Sequence, residues 1–214
     1  MTTVTKKLFC IIIGISLCGI TAQGSAAQPG SIFGWGASVV GPTGKLTAIS
    51  AGYGHSLGLK ADGSIVGWGR NYADESTAPL PNSGFLAIAG GLYYSLALNP
   101  DGSIVAWGSN AYGQCNVPAP NTEFTAISAS YRHSLGLKAD GSIVAWGQNN
   151  FGQCNVPSPN TGFVAIAAGS DHSLGLKADG SIVAWGYNYK GQVEVPSPNV
   201  GFVAISAGGT FSLG

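Results

Sequence analysis

Charge is what this sequence has least of. Lys and Arg number 9, Asp and Glu number 9, and together they make up 8% of the 214 residues, where an average soluble domain carries about 25%. A chain this neutral has no electrostatic footprint for nucleic acid or for an anionic membrane surface. Carboxylates are too few for the pairs that glycosidases use: outside Asp-Gly turns only Asp74, Glu75, Glu123, Asp171 and Glu194 remain. Long apolar runs are missing too. The one run present, Leu8–Ile20, is shorter than the ~20 residues a membrane span needs. Cysteine is limited to four, and helical periodicity is absent. Glycine, at 34, and proline, at 11, are abundant, but without a Gly-X-Y period, which excludes collagen.

The run Leu8–Ile20 follows Lys6 and Lys7 and leads into the small and polar residues Thr21–Ala27. A charged start, a short apolar middle and a small-residue exit describe a secretory signal peptide. Cleavage after Ala27 or after Gly24 fits. Residues 1–27 are therefore expected to be an address, and 28–214 the folded domain, secreted or periplasmic and free of the membrane after cleavage. Cys10 and Cys18 leave with the signal. Cys115 and Cys154 remain where they could oxidise, but equivalent points on neighbouring repeats lie too far apart to favour a disulfide.

Tryptophan sets a ruler. Trp68, Trp107, Trp146 and Trp185 are each 39 residues from the last, and Trp35 begins the series after a spacing of 33. The same text recurs around each: Phe124-Thr-Ala-Ile-Ser-Ala, then His133-Ser-Leu-Gly-Leu-Lys-Ala-Asp-Gly-Ser-Ile-Val-Ala-Trp-Gly, then Gly152-Gln153-Cys154-Asn155-Val156-Pro157. A period near 40 means a propeller, a solenoid or an array. Within the unit the period is two, so the text predicts three short strands. Asp-Gly between the second and third is a hairpin signal. Asn99-Pro100-Asp101-Gly102 specifies a type I turn followed by a left-handed glycine. A short edge strand at Asn-Val-Pro would make a fourth. Such thin sheets cannot cover both faces alone, and stacking them around an axis does so. The fold class expected is all-β, a propeller of three- to four-stranded blades in about five units. Small pairs such as Ala51-Gly52 and Ala168-Gly169 suit crowding near the axis.

The unit resembles the regulator of chromosome condensation repeat, in register over 30–214. The 39-residue spacing is more like exported bacterial members, such as the propeller-type β-lactamase inhibitory protein, than like the nuclear exchange factor. The resemblance implies a β-propeller, usually of seven blades. Seven such units need more residues than this chain has. The start, Gln28–Gly36, reads as a third strand alone, and the end, Phe202–Gly214, as a first and second strand. Five blades with the last shared between the termini, or a piece of a seven-bladed ring, both fit. The exchange activity is not carried over.

Chemistry is harder to find. Gly54-His55-Ser56-Leu57-Gly58 matches a nucleophile elbow, but that motif needs a strand–turn–helix setting, and here it falls inside a strand. His55, His133 and His172 share one repeat position, which Tyr94 and Phe211 fill elsewhere. A ligand set broken by aromatics favours a packed histidine bonded to the next blade over a metal ring. Asp62, Asp101, Asp140 and Asp179 stand alone beside glycine, as turn residues rather than calcium ligands. No cofactor is implied and no catalytic residue is assigned.

Strand direction locates the variable residues. With the Asp-Gly turns on one face, the second strand starts and the third ends on the other. That face collects Tyr53, Tyr93, Tyr131, Arg132 and Asp171 from before the second strand. It also collects Arg70, Tyr72, Tyr112, Phe151, Tyr187 and Tyr189 from after the third. Tyr and Arg anchor protein interfaces, and clustered exposed rings need a reason. The expected function is a non-enzymatic binding module for an extracellular or periplasmic protein or a ligand. A secreted hydrolase of glycans or peptides, or a structural segment of a larger surface protein, are the alternatives.

Overall fold

The computed structural model describes residues 45–214; the signal-like segment, Trp35 and the strand expected in Gln28–Gly36 lie outside them. Four units each form a three-stranded antiparallel sheet. The first has β1 Leu46–Ala51, β2 His55–Lys60 and β3 Ile65–Gly69; the second has β4 Ala87–Gly90, β5 Tyr94–Leu98 and β6 Ile104–Gly108. The third has β7 Phe124–Ala129, β8 His133–Lys138 and β9 Ile143–Gly147; the fourth has β10 Phe163–Ala168, β11 His172–Lys177 and β12 Ile182–Gly186. A fifth unit contributes the pair β13 Ser206–Ala207 and β14 Ser212–Leu213. These strands coincide with the three read from the repeated text.

The hairpin turn has the expected form. Gly141 N–H donates to Lys138 O at 3.0 Å and Lys138 N–H to Ser142 O at 2.8 Å. Gly141 has a φ of 78°, the left-handed position where glycine carries no Cβ penalty. Asp140 Oδ1 accepts from both the N–H and the hydroxyl of Ser142, at 2.9 and 2.6 Å. The Ser142 hydroxyl bond, followed by its N–H bond, holds the Asp140 carboxyl below its ordinary range. The same turn recurs at Asp62, Asp101 and Asp179.

The expected fourth strand is absent: Asn155-Val156-Pro157 lies in a connector, so the blades are three-stranded. The connector's amides are spent locally, Asn155 N–H on Gly152 O at 2.9 Å and Val156 N–H on Cys154 O at 3.1 Å, and proline has none to give. A side chain takes the place of the missing ladder. Asn160 Oδ1 accepts from Ile143 N–H and its Nδ2 donates to Ile143 O, both at 2.8 Å. Asn82, Asn121 and Asn199 do the same for Ile65, Ile104 and Ile182.

The core lies between blades. Leu135, Leu137 and Ile143 of the third blade pack on Phe163, Ile166 and Trp185 of the fourth. Leu96, Leu98 and Ile104 of the second pack on Phe124 and Trp146 of the third. Leu57, Leu59 and Ile65 of the first meet Phe85 and Ala97 of the second, and Leu174, Leu176 and Ile182 of the fourth meet Ile205 and Ala207. Each middle strand is covered on both sides, as β8 shows with five of its six residues buried. Strand interiors shielded from water on both faces have no use for charge, which fits the low charged content; the lysines Lys60, Lys138 and Lys177 stand at the strand ends.

The first strands of successive blades neighbour one another and define the axis. Ser50 Oγ accepts from Gly90 N–H at 2.9 Å, and Ser128 Oγ from Ala168 N–H at 3.1 Å. The small residues expected there are required. A Cβ at Gly52 would collide with the His55 ring and with Gly91 O.

Candidate binding face

Register brings the two variable stretches together. In each blade the second strand's start pairs with the third strand's end, His133 opposite Gly147 and His172 opposite Gly186. One further backbone bond ties the loops: Arg70 N–H to Gly54 O at 2.7 Å, Ser109 N–H to Tyr93 O at 2.8 Å, Gln148 N–H to Arg132 O and Tyr187 N–H to Asp171 O, each at 2.9 Å. The aromatic loops are thus fixed to the sheet.

A buried side chain holds each loop from beneath. Gln114 Oε1 accepts from Tyr112 N–H at 2.8 Å, and Gln153 Oε1 from Phe151 N–H at 2.9 Å. Gln192 and Glu75 do the same for Lys190 and Ala73. The carbonyls of these residues accept from the next blade. Gln114 O takes Trp146 Nε1–H at 2.8 Å and the Ser134 hydroxyl at 3.1 Å; Gln153 O takes Trp185 Nε1–H and the Ser173 hydroxyl, both at 2.9 Å. That serine also meets the histidine of the preceding blade, His133 Nε2 to Ser173 Oγ at 2.9 Å and His55 Nε2 to Ser95 Oγ at 2.8 Å. The His-Ser, Trp and Gln of the repeat are therefore one clip between blades. The packed histidine was readable from sequence; the role of Gln was not, because its partners sit on the next repeat.

Burial drives the histidines toward the neutral form: His133 is pushed down to about 3, with His172 adding to it, and His172 to about 4. His55 is lowered by burial against the opposing pull of Glu75. Tyr94, in the same slot, donates its hydroxyl to His133 O at 2.5 Å, and its oxygen lies 2.9 Å from Ser134 Oγ. No group of three or more His, Cys, Asp or Glu converges among the described residues. Ser56 lies within β2, opposite Trp68, so the elbow motif has no elbow. Cys115 and Cys154 are free thiols pushed up to about 11 by burial, far from the thiolate that reactivity needs.

The rings of the predicted face touch in two chains. Tyr53, 67% exposed, meets Tyr93 and Tyr131 edge-on, with centroids 6.1 and 6.4 Å away. The Arg70 guanidinium lies 3.7 Å over Tyr93 and 4.7 Å over Tyr72; that of Arg132 lies 4.4 Å over Tyr112 and 4.8 Å over Tyr131. Seven of the predicted residues thus form one mosaic. Phe151, Tyr187 and Tyr189 form the second chain, at 4.5 and 6.2 Å. Asp171 is half-buried, and its carboxyl is raised by burial against the pull of Arg132. Tyr53 and Tyr131 border an axial cavity of about 460 Å³ floored by Gly52, Gly91 and Gly169, to which all five units contribute.

The regulator of chromosome condensation (RCC1) repeat matches residues 46–73, 85–114, 124–153 and 163–192. The chain belongs to this repeat family. Prp20p from Saccharomyces cerevisiae is similar over 81% of this chain and 56% of its own, with 20% identity and a TM-score of 0.68. The ectodomain of the Physcomitrella patens receptor kinase CR4 is similar over 77% and 45%, with 27% identity and a TM-score of 0.62. Human WBSCR16 is similar over 79% and 58%, with 20% identity and a TM-score of 0.64. The chain spans about half the length of these solved structures, and no curated protein matches it. Each RCC1 match spans the three strands of one unit, and the second to fourth end on the buried Gln114, Gln153 and Gln192, so those three cover the clip, whereas the first ends at residue 73, short of Glu75.

Proposed function

We propose that this RCC1-repeat chain is an exported, non-enzymatic binding module that holds a protein partner on its Tyr-rich face. The arginine-linked tyrosine mosaic around the axial cavity carries this reading. Large rings that stay exposed while already packed against one another cost little conformational entropy when a partner covers them. The two loops of each blade are tied to one another by a backbone bond, and the loop after the third strand is held from below by Gln or Glu. The signal-like segment 1–27 supports export, and the CR4 ectodomain is a similar propeller in a receptor kinase. Prp20p is described with binding to Gsp1p and histones, which supports a protein as the partner class here.

Replacing Tyr53, Tyr112 and Tyr131 together by Ala tests the face. Against a partner captured from the host's extracellular fraction and then identified, the triple variant is expected to bind at least a hundredfold more weakly, since buried interface tyrosines are worth about 2 kcal/mol or more each. Its melting temperature should stay within a few degrees, because these rings lie outside the inter-blade cores. Undiminished binding would refute the face assignment.

A further inference from the structure

The mosaic contains two guanidinium groups whose surroundings are built but whose donors are not used. Arg70 is clamped between Tyr72 and Tyr93, and Arg132 between Tyr112 and Tyr131. Among the described residues neither donates a hydrogen bond to protein, and both Nε atoms are buried without a hydrogen-bond partner. Glu75, fully buried, faces Arg70 from the Nε side at 3.5 Å. With Nε sealed, the donors left to a visitor are the terminal Nη pairs. A stacked guanidinium has already lost the rotamer freedom that binding would otherwise cost, and two parallel N–H groups match a carboxylate in bidentate fashion.

The two forks stand at either end of one run of rings, Arg70 on Tyr93, Tyr93 on Tyr53, Tyr53 on Tyr131 and Tyr131 on Arg132. Its middle opens onto the axial cavity, where Leu92 and the glycine floor offer mainly apolar contact. Resting on the protein-binding reading, we infer that the partner presents a loop with an apolar side chain for the cavity, flanked by carboxylates for Arg70 and Arg132. A polyanion suits the face less well. Glu75, buried beside Arg70, and Asp171, half-buried beside Arg132, offset the two positive charges, so the face lacks the net positive charge that a chain of phosphates requires, whereas each fork still fits one carboxylate.

A minimal probe is the capped peptide Gly-Glu-Gly-Phe-Gly-Glu-Gly, compared with versions carrying Gln or Lys for Glu, or Ala for Phe. Binding is read from the tyrosine ring and arginine Nε–H signals by NMR. The Glu-Phe-Glu peptide is expected to bind at least tenfold more tightly than each of the others. Arg70→Gln with Arg132→Gln should abolish that preference while the fold, checked by melting, is kept. Equal affinity for the Glu and Lys peptides, with Tyr53 and Tyr131 signals moving, overturns the acidic-loop assignment and leaves the binding face standing. Signals that move only away from these rings, or no binding by any peptide, count against both. Stronger binding of a single-stranded oligonucleotide than of the Glu peptide also overturns the inference.

Discussion

A Trp146→Ala variant is expected to melt about 10 °C below the parent. Trp146 is buried, packs on Phe124 and supplies one of the two bonds to Gln114 O. Removing a buried tryptophan costs about 3–5 kcal/mol, and in a domain of this size each kcal/mol moves the midpoint by roughly 2–4 °C. Trp146→Phe separates the two contributions. It keeps most of the apolar contact and leaves Gln114 O its bond from Ser134, so the loss should be nearer ~1 kcal/mol. Trp107 occupies the same slot but is half-buried, with a longer bond of 3.1 Å to Glu75 O, so Trp107→Ala should cost less than Trp146→Ala. A Trp146→Ala midpoint within 2 °C of the parent would mean that the indole is not part of the inter-blade cover.

Acid should destabilise the fold before its carboxylates titrate. His133 and His172 have folded pKa values of about 3 and about 4, against an ordinary 6.5, because burial disfavours the imidazolium. Below pH 6.5 the unfolded chain takes up protons that the folded chain refuses. Stability is therefore complete above pH 6.5, falls as pH drops through that value, and goes on falling until the folded pKa values are reached. At pH 5 the difference amounts to about 2 kcal/mol for each of these two histidines. His55 is shifted in the same direction and adds to the effect. Melting temperature is expected to fall by about 10 °C between pH 7.5 and pH 5, while the ring signals of His133 and His172 stay unchanged over that range in the folded protein. A flat melting profile, or ring signals with midpoints near 6.5, would contradict the buried clip.

Much of this architecture can be read from the text because its causes are local. Alternation with period two marks the strands, and Pro100-Asp101-Gly102 specifies the turn. Strand direction then decides which end of each blade carries Tyr53, Arg70 and Arg132. What escapes a reading of the sequence depends on residues from another repeat or from a distant loop. Gln114 reads as a polar loop residue until Trp146 and Ser134 of the next blade are seen to donate to its carbonyl. Asn-Val-Pro reads as an edge strand because valine and spacing favour one, but Asn160 has already taken the backbone groups of Ile143. The tyrosines were legible as a cluster. The stacking of Arg70 and Arg132 between them was not, since nothing in sequence separation brings Arg132 over Tyr112.

A blade holds its shape only because its neighbours cover it. The most direct measurement is the circular dichroism of one excised repeat, residues 124–162, beside the full chain. With Phe124, Leu135 and Trp146 left bare on a three-stranded sheet, the repeat should give the spectrum of an unfolded peptide at 25 °C while the full chain gives that of β-sheet. An isolated repeat with a stable β spectrum and a cooperative melt would contradict the account.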